Sequence, residues 1–330
     1  MIMEKSSKPV ENESDVTKED LEHLRPKNLS SYVGQDQIKE SLRVFIKAAK
    51  LRGEPLEHIL FYGPPGLGKT TLAFILANET SSNIQITSGP AIERGGDLIS
   101  ILTNLNDGDI LFIDEIHRLN KIVEEILYPA MEDYAVDLVI GKGPSAKTLR
   151  VDLPKFTLIG ATTRISLISA PMRDRFGIVQ SIDFYTEDEI TEILRRSSKV
   201  FQIDAESTAL QSVAKRSRKT PRVANRLLKR VRDFATVYNK GKINDASAEH
   251  AFEKMGIDEY GLDDNDRKYL NIISKKFSGG PVGVETLAAA SSLERDTIEE
   301  VVEPYLMQIG FIKRTPKGRV TTPRAESYLS

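Results

Sequence analysis

The sequence predicts an α/β chain in three consecutive units. They are a parallel sheet with helices on both faces, an all-helical unit, and a helical unit closed by a β-hairpin. Three observations predict this. Short, continuously apolar segments alternate with helical ones up to about residue 183. Only helical periodicity follows, to about residue 256. The last stretch ends in two short segments around a Thr-Pro-Lys-Gly-Arg turn. At 330 residues, 40% hydrophobic and 28% charged, the chain can bury the cores of two or three domains.

In the first unit, strands are expected at 58–62, 83–87, 109–113, 157–161 and 179–183, with helices at 35–51, 70–80, 96–104 and 121–132. Strands this short and this apolar suit a sheet covered on both sides. Residues 135–152 break the pattern by alternating. Val136, Leu138 and Ile140 run outbound, Leu149 and Val151 inbound, and Gly141-Lys142-Gly143-Pro144 stands near the tip. This is a hairpin projecting from the core, which needs a partner unless it packs on its own domain. In the third unit a helix at 264–276, a turn at 279–283, and helices at 284–291 and 294–309 precede the hairpin. Pro304 is expected to bend or unwind the last of these. The hairpin pairs 311–314 with 320–322 around a turn at 315–319. Three helices and a hairpin make a winged helix-turn-helix. Residues 1–20 are polar and acidic, with no apolar signal core, and read as a solvated, flexible tail.

Composition removes several chemistries. The chain has no cysteine and no tryptophan. Disulfide scaffolds, Cys-ligated zinc, iron–sulfur clusters and thiol nucleophiles are excluded. The four histidines, His23, His58, His117 and His250, include no pair at metal-ligand spacing. No apolar run approaches the about 20 residues of a membrane span, so a soluble, cytoplasmic protein is expected. A net charge of −2 says nothing about nucleic acid, but the distribution does. Between Arg195 and Arg232 stand 12 Lys/Arg against two acids, and between Lys313 and Arg324 five against none. The first run suits phosphate backbones, a neighbouring acidic surface, or simply solvent. The second suits DNA phosphates read by shape rather than sequence, or a protein contact.

The strongest motif is Gly63-Pro64-Pro65-Gly66-Leu67-Gly68-Lys69-Thr70, which satisfies every fixed position of a phosphate-binding loop between a strand and a helix. Its glycines let backbone N–H groups wrap an anion at a helix N-terminus. Lys69 is expected on the outer phosphates and the Thr70 hydroxyl on Mg²⁺. Downstream, Ile110-Leu111-Phe112-Ile113 ends in Asp114-Glu115. Asp114 is expected in the Mg²⁺ shell, and Glu115 on the attacking water. His117 makes the run Asp-Glu-Ile-His, as in a helicase box, but one histidine beside an acid pair reads more readily as a surface or structural side chain. The strand end Thr162-Thr163-Arg164 offers a hydroxyl to the third phosphate or the water. Arg173 and Arg175 flank Asp174 in a polar step, where an arginine completing a neighbour's site would stabilise charge. Arg222, after Pro221, opens a helix from which it reaches back to the nucleotide or simply faces solvent.

The loop GPPGLGKTT, LFIDEIHR, LYPAMEDY, TLIGATTR, MRDRFGIVQ, TPRVANRLL and the tail GGPVG, EPYL, GFIKRTP together resemble the RuvB family of bacterial Holliday-junction branch-migration motors, of the AAA+ class. The likeness runs from about Arg25 to Tyr328. It implies an AAA+ core at 21–183 carrying the hairpin 135–152, a helical lid at 184–256, and a winged-helix DNA-binding domain at 257–330. It implies an ATP-driven homohexameric ring on duplex DNA at four-way junctions. RuvA would be gripped through the hairpin, and RuvC would join a larger resolving complex. It places Lys69, Thr70 and Thr71, with Gly66 and Gly68, in the nucleotide loop, and Asp114 and Glu115 in the acid box. Thr163 becomes the strand-end sensor, Arg175 the finger given in trans, and Arg222 the lid sensor. Leu24, Arg25, Glu132, Asp133, Tyr134, Arg173 and Tyr185 align with further nucleotide contacts, and Arg295, Arg314 and Arg319 with the DNA face. A clamp-loader subunit would present a Ser-Arg-Cys step, impossible without cysteine. A DNA-binding regulator with a nucleotide switch would show no turnover. A protein-remodelling ATPase would need an aromatic pore loop.

Overall fold

A computed structural model describes residues 24–140 and 147–330; the expected tail at 1–20, the hairpin tip at 141–144 and the side chains of Leu138 and Ile140 lie outside the description. The first unit runs α1 (Asp36–Arg52), β1 (Ile59–Tyr62), α2 (Lys69–Thr80), β2 (Ile84–Ser88), α3 (Gly95–Thr103), β3 (Ile110–Asp114), α4 (Lys121–Glu132), β4 (Ala135–Ile140), β5 (Lys147–Asp152), β6 (Thr157–Thr162), α5 (Ala170–Asp174) and β7 (Ile178–Ser181). Five strands form one parallel sheet in the order β2-β3-β6-β1-β7. The late strand β6 is inserted between β1 and β3, and all its residues are buried. The register sets Tyr62 beside Thr162 and Ile113 beside Gly160. The C-terminal ends of β1, β6 and β3 therefore finish together, at the edge where open parallel sheets bind ligands.

Alternation along β3 divides the core into two layers. Ile110 and Phe112 face α1 and α2 with Leu42, Ile46, Leu72 and Leu76. Leu111 and Ile113 face α3 and α4 with Leu98, Leu102, Val123 and Leu127. His58 ties strands to helix. Its Nδ1 accepts from the Leu158 N–H at 2.8 Å, and its Nε2 donates to the Met131 carbonyl at 3.0 Å. Burial holds its pKa below the usual histidine value, so it is a neutral structural group.

The first apolar layer does not end with the sheet. It continues through Ile190, Leu194, Leu210, Leu228 and Phe252 into four helices: α6 (Glu187–Val200), α7 (Ser207–Lys215), α8 (Pro221–Tyr238) and α9 (Asp245–Met255). A capping box between Thr186 and Glu189 starts α6, and Pro221 starts α8. Much of this unit's basic run is paired internally: Arg195 and Arg196 with Glu192, Arg216 with Glu249, and Arg230 and Arg232 with Asp233. Lys229 turns inward, its Nζ 4.8 Å from the Phe201 ring centre. The basic face of α8 is therefore narrower than its periodicity suggests, because a lysine stem can lie along apolar surface.

The third unit has its own apolar cluster, including Tyr269, Leu270, Ile273, Leu287, Leu306 and Phe311. α10 (Asp264–Asn271) continues as a wide turn over Ile272–Lys276, and α11 is Val284–Ser291. The next helix is α12 (Arg295–Thr297), then a π-helical turn at Ile298–Val302, then α13 (Glu303–Gln308). Pro304 has no N–H for the Glu300 carbonyl and its ring crowds it, so the ladder widens there. β8 (Ile312–Thr315) and β9 (Gly318–Thr321) pair directly, Thr315 opposite Gly318. The turn is thus only Pro316-Lys317, tighter than the expected 315–319. It closes there because Gly318 adopts φ 135°, and a Cβ on it would lie 2.4 Å from the Val282 carbonyl oxygen. A last helix, α14 (Pro323–Leu329), was not expected, although Thr322 as cap and Pro323 behind it announce one.

β4 and β5 pair as a separate two-stranded hairpin, with Val136 opposite Val151 and Leu138 opposite Leu149. Val136 and Val151 pack on the second layer, whereas Leu149 is exposed. The hairpin's base rests on its own domain. Among the described residues no helix is long and apolar enough to cross a membrane.

Candidate nucleotide site

The loop between β1 and α2 can exist only with glycines. Gly63 has φ 142°, and a Cβ would meet the Ile182 carbonyl oxygen at 2.4 Å. Lys69 begins α2, and its Nζ donates to the Gly63 and Pro64 carbonyls at 2.8 and 3.0 Å. Burial pulls its pKa down to about 8 against the opposing carboxylates Asp114 and Glu115. Thr70 and Thr71 follow in the first turn. Below the loop, the Tyr185 and Tyr32 hydroxyls lie 2.8 Å apart, and both reach the Leu67 carbonyl. Burial raises both pKa values, Tyr32 to about 12, so both remain protonated donors. Tyr185, expected as a nucleotide contact, here supports the loop from below. Tyr32 was not expected, since no local pattern marks a residue 35 positions from the group it supports.

The lid closes on the loop through Arg222. Its N–H donates to the Gly66 carbonyl at 3.4 Å, and a Cβ on Gly66 would lie 3.0 Å from the Arg222 Cβ. This sets Arg222 beside the loop, where its charge acts on Lys69. Arg25, next to Leu24, lies over the Phe74 ring of α2 at 4.2 Å.

Beside the loop, β3 ends at Asp114, whose Oδ1 accepts the Glu115 N–H at 3.0 Å. Glu115 adopts φ 48°, which turns the chain sharply and sets its carboxylate toward β6. Its Oε2 is 3.4 Å from Thr163 Oγ1 and 3.2 Å from His117 Nδ1. Burial and the adjacent Asp114 raise the Glu115 pKa. His117 Nδ1 also lies 2.9 Å from Thr162 Oγ1. Burial and Arg164 lower its pKa, so His117 is a neutral brace between the acid pair and β6. Lys69, Asp114, Glu115 and Thr163, distant in sequence, thus converge on one edge. Among the described residues no group of three or more His, Cys, Asp or Glu could cage a metal ion. One carboxylate and one hydroxyl fit Mg²⁺, which keeps waters and phosphate oxygens in its shell.

A second set of expected residues gathers at the opposite edge. Arg175 precedes β7, where the parallel strands begin, a strand's length of about 15 Å from the loop edge. Its Nη1 donates to the Pro171 carbonyl at 2.7 Å, its Nη2 is 3.2 Å from Glu132 Oε1, and it stacks over Tyr128. Asp133 pairs with Arg150, and Tyr134 packs edge-on against Phe156 near His58. Arg173 is exposed on α5. This geometry does not bring Arg175, Arg173 and residues 132–134 to the chain's own phosphate loop.

On the winged helix, Arg314 and Arg319 stand directly opposite across the hairpin, a repulsive placement. Glu303, fully buried, resolves it by accepting from Arg314 Nε at 2.6 Å and Arg319 Nε at 2.7 Å, and from the Tyr269 hydroxyl at 2.6 Å. Arg319 is only 12% exposed and also binds Glu299. Arg295 pairs with Glu285 and Glu299. The hairpin's acid-free run is therefore partly neutralised in space, while Lys313 and Lys317 are exposed. Sequence reading also passed over Arg164. Its Nη2 binds Asp296 and its Nε binds Glu300, both at 2.8 Å, and Glu300 Oε2 is 3.5 Å from Thr163 Oγ1.

A phosphate loop, a strand-end acid pair, a polar strand end on the inserted strand, and a helical lid whose arginine touches the loop define a P-loop ATPase of the AAA+ class. The Holliday junction DNA helicase RuvB P-loop domain matches residues 24–182, the RuvB AAA lid domain 185–258, and the RuvB C-terminal winged helix domain 259–330. The chain belongs to the RuvB family. Among solved structures, it is 49% identical to the Thermotoga maritima RuvB Holliday junction branch migration motor. The match covers 93% of this chain and 98% of that one, with a TM-score of 0.85. A mutant of the same protein matches over the same shares at 0.86.

Proposed function

We propose that this chain hydrolyses ATP to drive branch migration of four-way DNA junctions, as a cytoplasmic homohexameric ring on duplex DNA. RuvA would dock on the hairpin 135–152, and RuvC would join the larger complex. The observation that carries the reading is the meeting of Lys69, Asp114, Glu115 and Thr163 at one sheet edge in a chain that also carries a winged helix. Lys69 exchanges the loop carbonyls for the outer phosphates, and Thr163 holds the third. Glu115, its basicity raised by burial, orients the attacking water and takes its proton. Thr70 and Asp114 would hold Mg²⁺, which supplies charge neutralisation on the phosphates. Gly66, Gly68 and Thr71 shape the loop, and Leu24, Arg25, Tyr185 and Arg222 enclose the base side. Arg175 serves the adjacent subunit's nucleotide, with Arg173 and Glu132–Tyr134 beside it, since they lie a strand's length from their own loop. Arg295, Arg314 and Arg319 meet DNA phosphates through the guanidinium N–H groups that Glu299 and buried Glu303 leave unused. Boundaries near residues 183 and 256 divide core, lid and winged helix.

The test is ATP turnover with and without a synthetic four-way junction and RuvA, while following arm separation. Junction-stimulated turnover with arm exchange is expected. Glu115→Gln should keep nucleotide binding and lose about a hundredfold or more in turnover, and Arg175→Ala about a thousandfold or more. Mixing the two inactive variants should restore part of the activity, because some interfaces then combine an intact Glu115 with an intact Arg175. Turnover indifferent to DNA, with no arm exchange, would overturn the reading.

A further inference from the structure

The winged-helix domain sends one acid into the nucleotide site. Glu300 stands on the π-helical turn Ile298–Val302, at the point where Pro304 breaks the ladder. Its Oε1 is held by Arg164 Nε at 2.8 Å and its Oε2 lies 3.5 Å from Thr163 Oγ1. The same hydroxyl is 3.4 Å from Glu115 Oε2. Thr163 therefore sits between a carboxylate of its own domain and one from the winged helix. A hydroxyl has one proton and can donate to one of them at a time. Glu300 is near enough to act on the charge of both Lys69 and Glu115. Asp296 and Glu299 extend the contact to Arg164, and Glu299 also accepts from Arg319 of the hairpin at 3.0 Å.

We propose that Glu300 is a specificity-determining residue of the nucleotide site, which disfavours a triphosphate while the winged helix is docked and leaves a diphosphate unaffected. The inference rests on the site reading above, in which Lys69 and Thr163 receive the third phosphate. That phosphate brings added negative charge beside Thr163, where Glu300 already stands. Like charges this close, partly shielded from water, repel strongly. A diphosphate ends before that point. ATP thus loosens the Arg164 contact, and loss of the third phosphate lets Glu300 return. By linkage the effect runs both ways: a partner that draws Glu299 and Glu300 away from the core raises preference for the triphosphate by the same factor.

The experiment measures equilibrium binding of ADP and of a γ-thio analogue of ATP to the full chain and to Glu300→Gln, with hydrogen exchange over residues 295–303. The substitution keeps size and removes charge at a partly exposed position. The triphosphate should bind about tenfold more tightly in the variant, with ADP within about twofold, which also shows that the variant is folded. In the unaltered chain, exchange over 295–303 should rise with the triphosphate and not with ADP; in Glu300→Gln the two nucleotides should give the same exchange. An unchanged ratio, or equal tightening of both nucleotides, overturns the proposal and leaves the ATPase reading standing. Failure of the unaltered chain to bind either nucleotide overturns both.

Discussion

Arg218 and Arg164 each tie the winged helix to the rest of the chain, one from the lid and the other from the core, but in different surroundings. Arg218 reaches Asp263, Asp266 and the Gly261 carbonyl, and lies over the Tyr305 ring. Asp266 is 2% exposed. Burial raises its pKa to about 6 in spite of Arg218, while Arg218 and backbone N–H groups outweigh burial and hold Asp263 below the usual range. Arg218 itself adopts φ 52°, a left-handed conformation kept only where the surroundings demand it. Arg164 is 24% exposed and its partner Asp296 is 67% exposed. A buried pair cannot separate without stranding a charge out of water. A partly exposed group of charges separates at less cost, because water takes over its members as it opens. Lid and winged helix are joined as one piece, and core and winged helix are held by a contact that can open.

The largest test of that contrast is mutational. Arg218→Ala should destabilise the lid–winged-helix unit by about 3–5 kcal/mol, because Asp266 stays buried without its cation. Arg164→Ala should leave the denaturation midpoint nearly unchanged. Equal losses in chemical denaturation would erase the difference between the joints. Salt gives a smaller effect. Raising ionic strength from about 0.1 to about 1 M shortens the screening length from about 10 to about 3 Å. Hydrogen exchange over 295–303 should then accelerate, while exchange over 263–271 stays constant.

The smallest expected effect is in pH, and it belongs to the core side alone. Glu115 acts as a carboxylate and its pKa is raised, so turnover should fall as pH drops through a value above the usual carboxylate range. Glu300 contributes to that rise, so Glu300→Gln should move the acid limb to lower pH. Lys69 must be charged to meet phosphates, so kcat/KM, which reports the free enzyme, should decline as pH rises through about 8. Arg218→Ala should move neither limb.

Much of the site was legible because its chemistry is local. The loop from Gly63 to Thr70, the Asp114-Glu115 pair and Thr163 each stand at a strand end that short apolar runs mark out. Arg222 was legible only as one of two readings, since a basic residue after Pro221 looks the same whether it meets solvent or a loop. Arg164, Glu300, Tyr32 and Glu303 were not legible as site residues. Arg164 and Glu300 are 136 positions apart and share no pattern. Glu303 reads as an ordinary helix acid until two cross-strand arginines are seen to converge on it.

The sequence by itself determined the class of each unit, the phosphate loop and its acids, because these depend on backbone conformation and periodicity within a few residues. The tertiary structure alone decided that β6 lies between β1 and β3, which brings Thr163 to Glu115 and leaves Arg175 at the far edge. It alone decided which acids of the winged helix face the core. Those outcomes follow from how apolar faces stack and where charges can stay wet, and both are properties of surfaces assembled from distant parts of the chain.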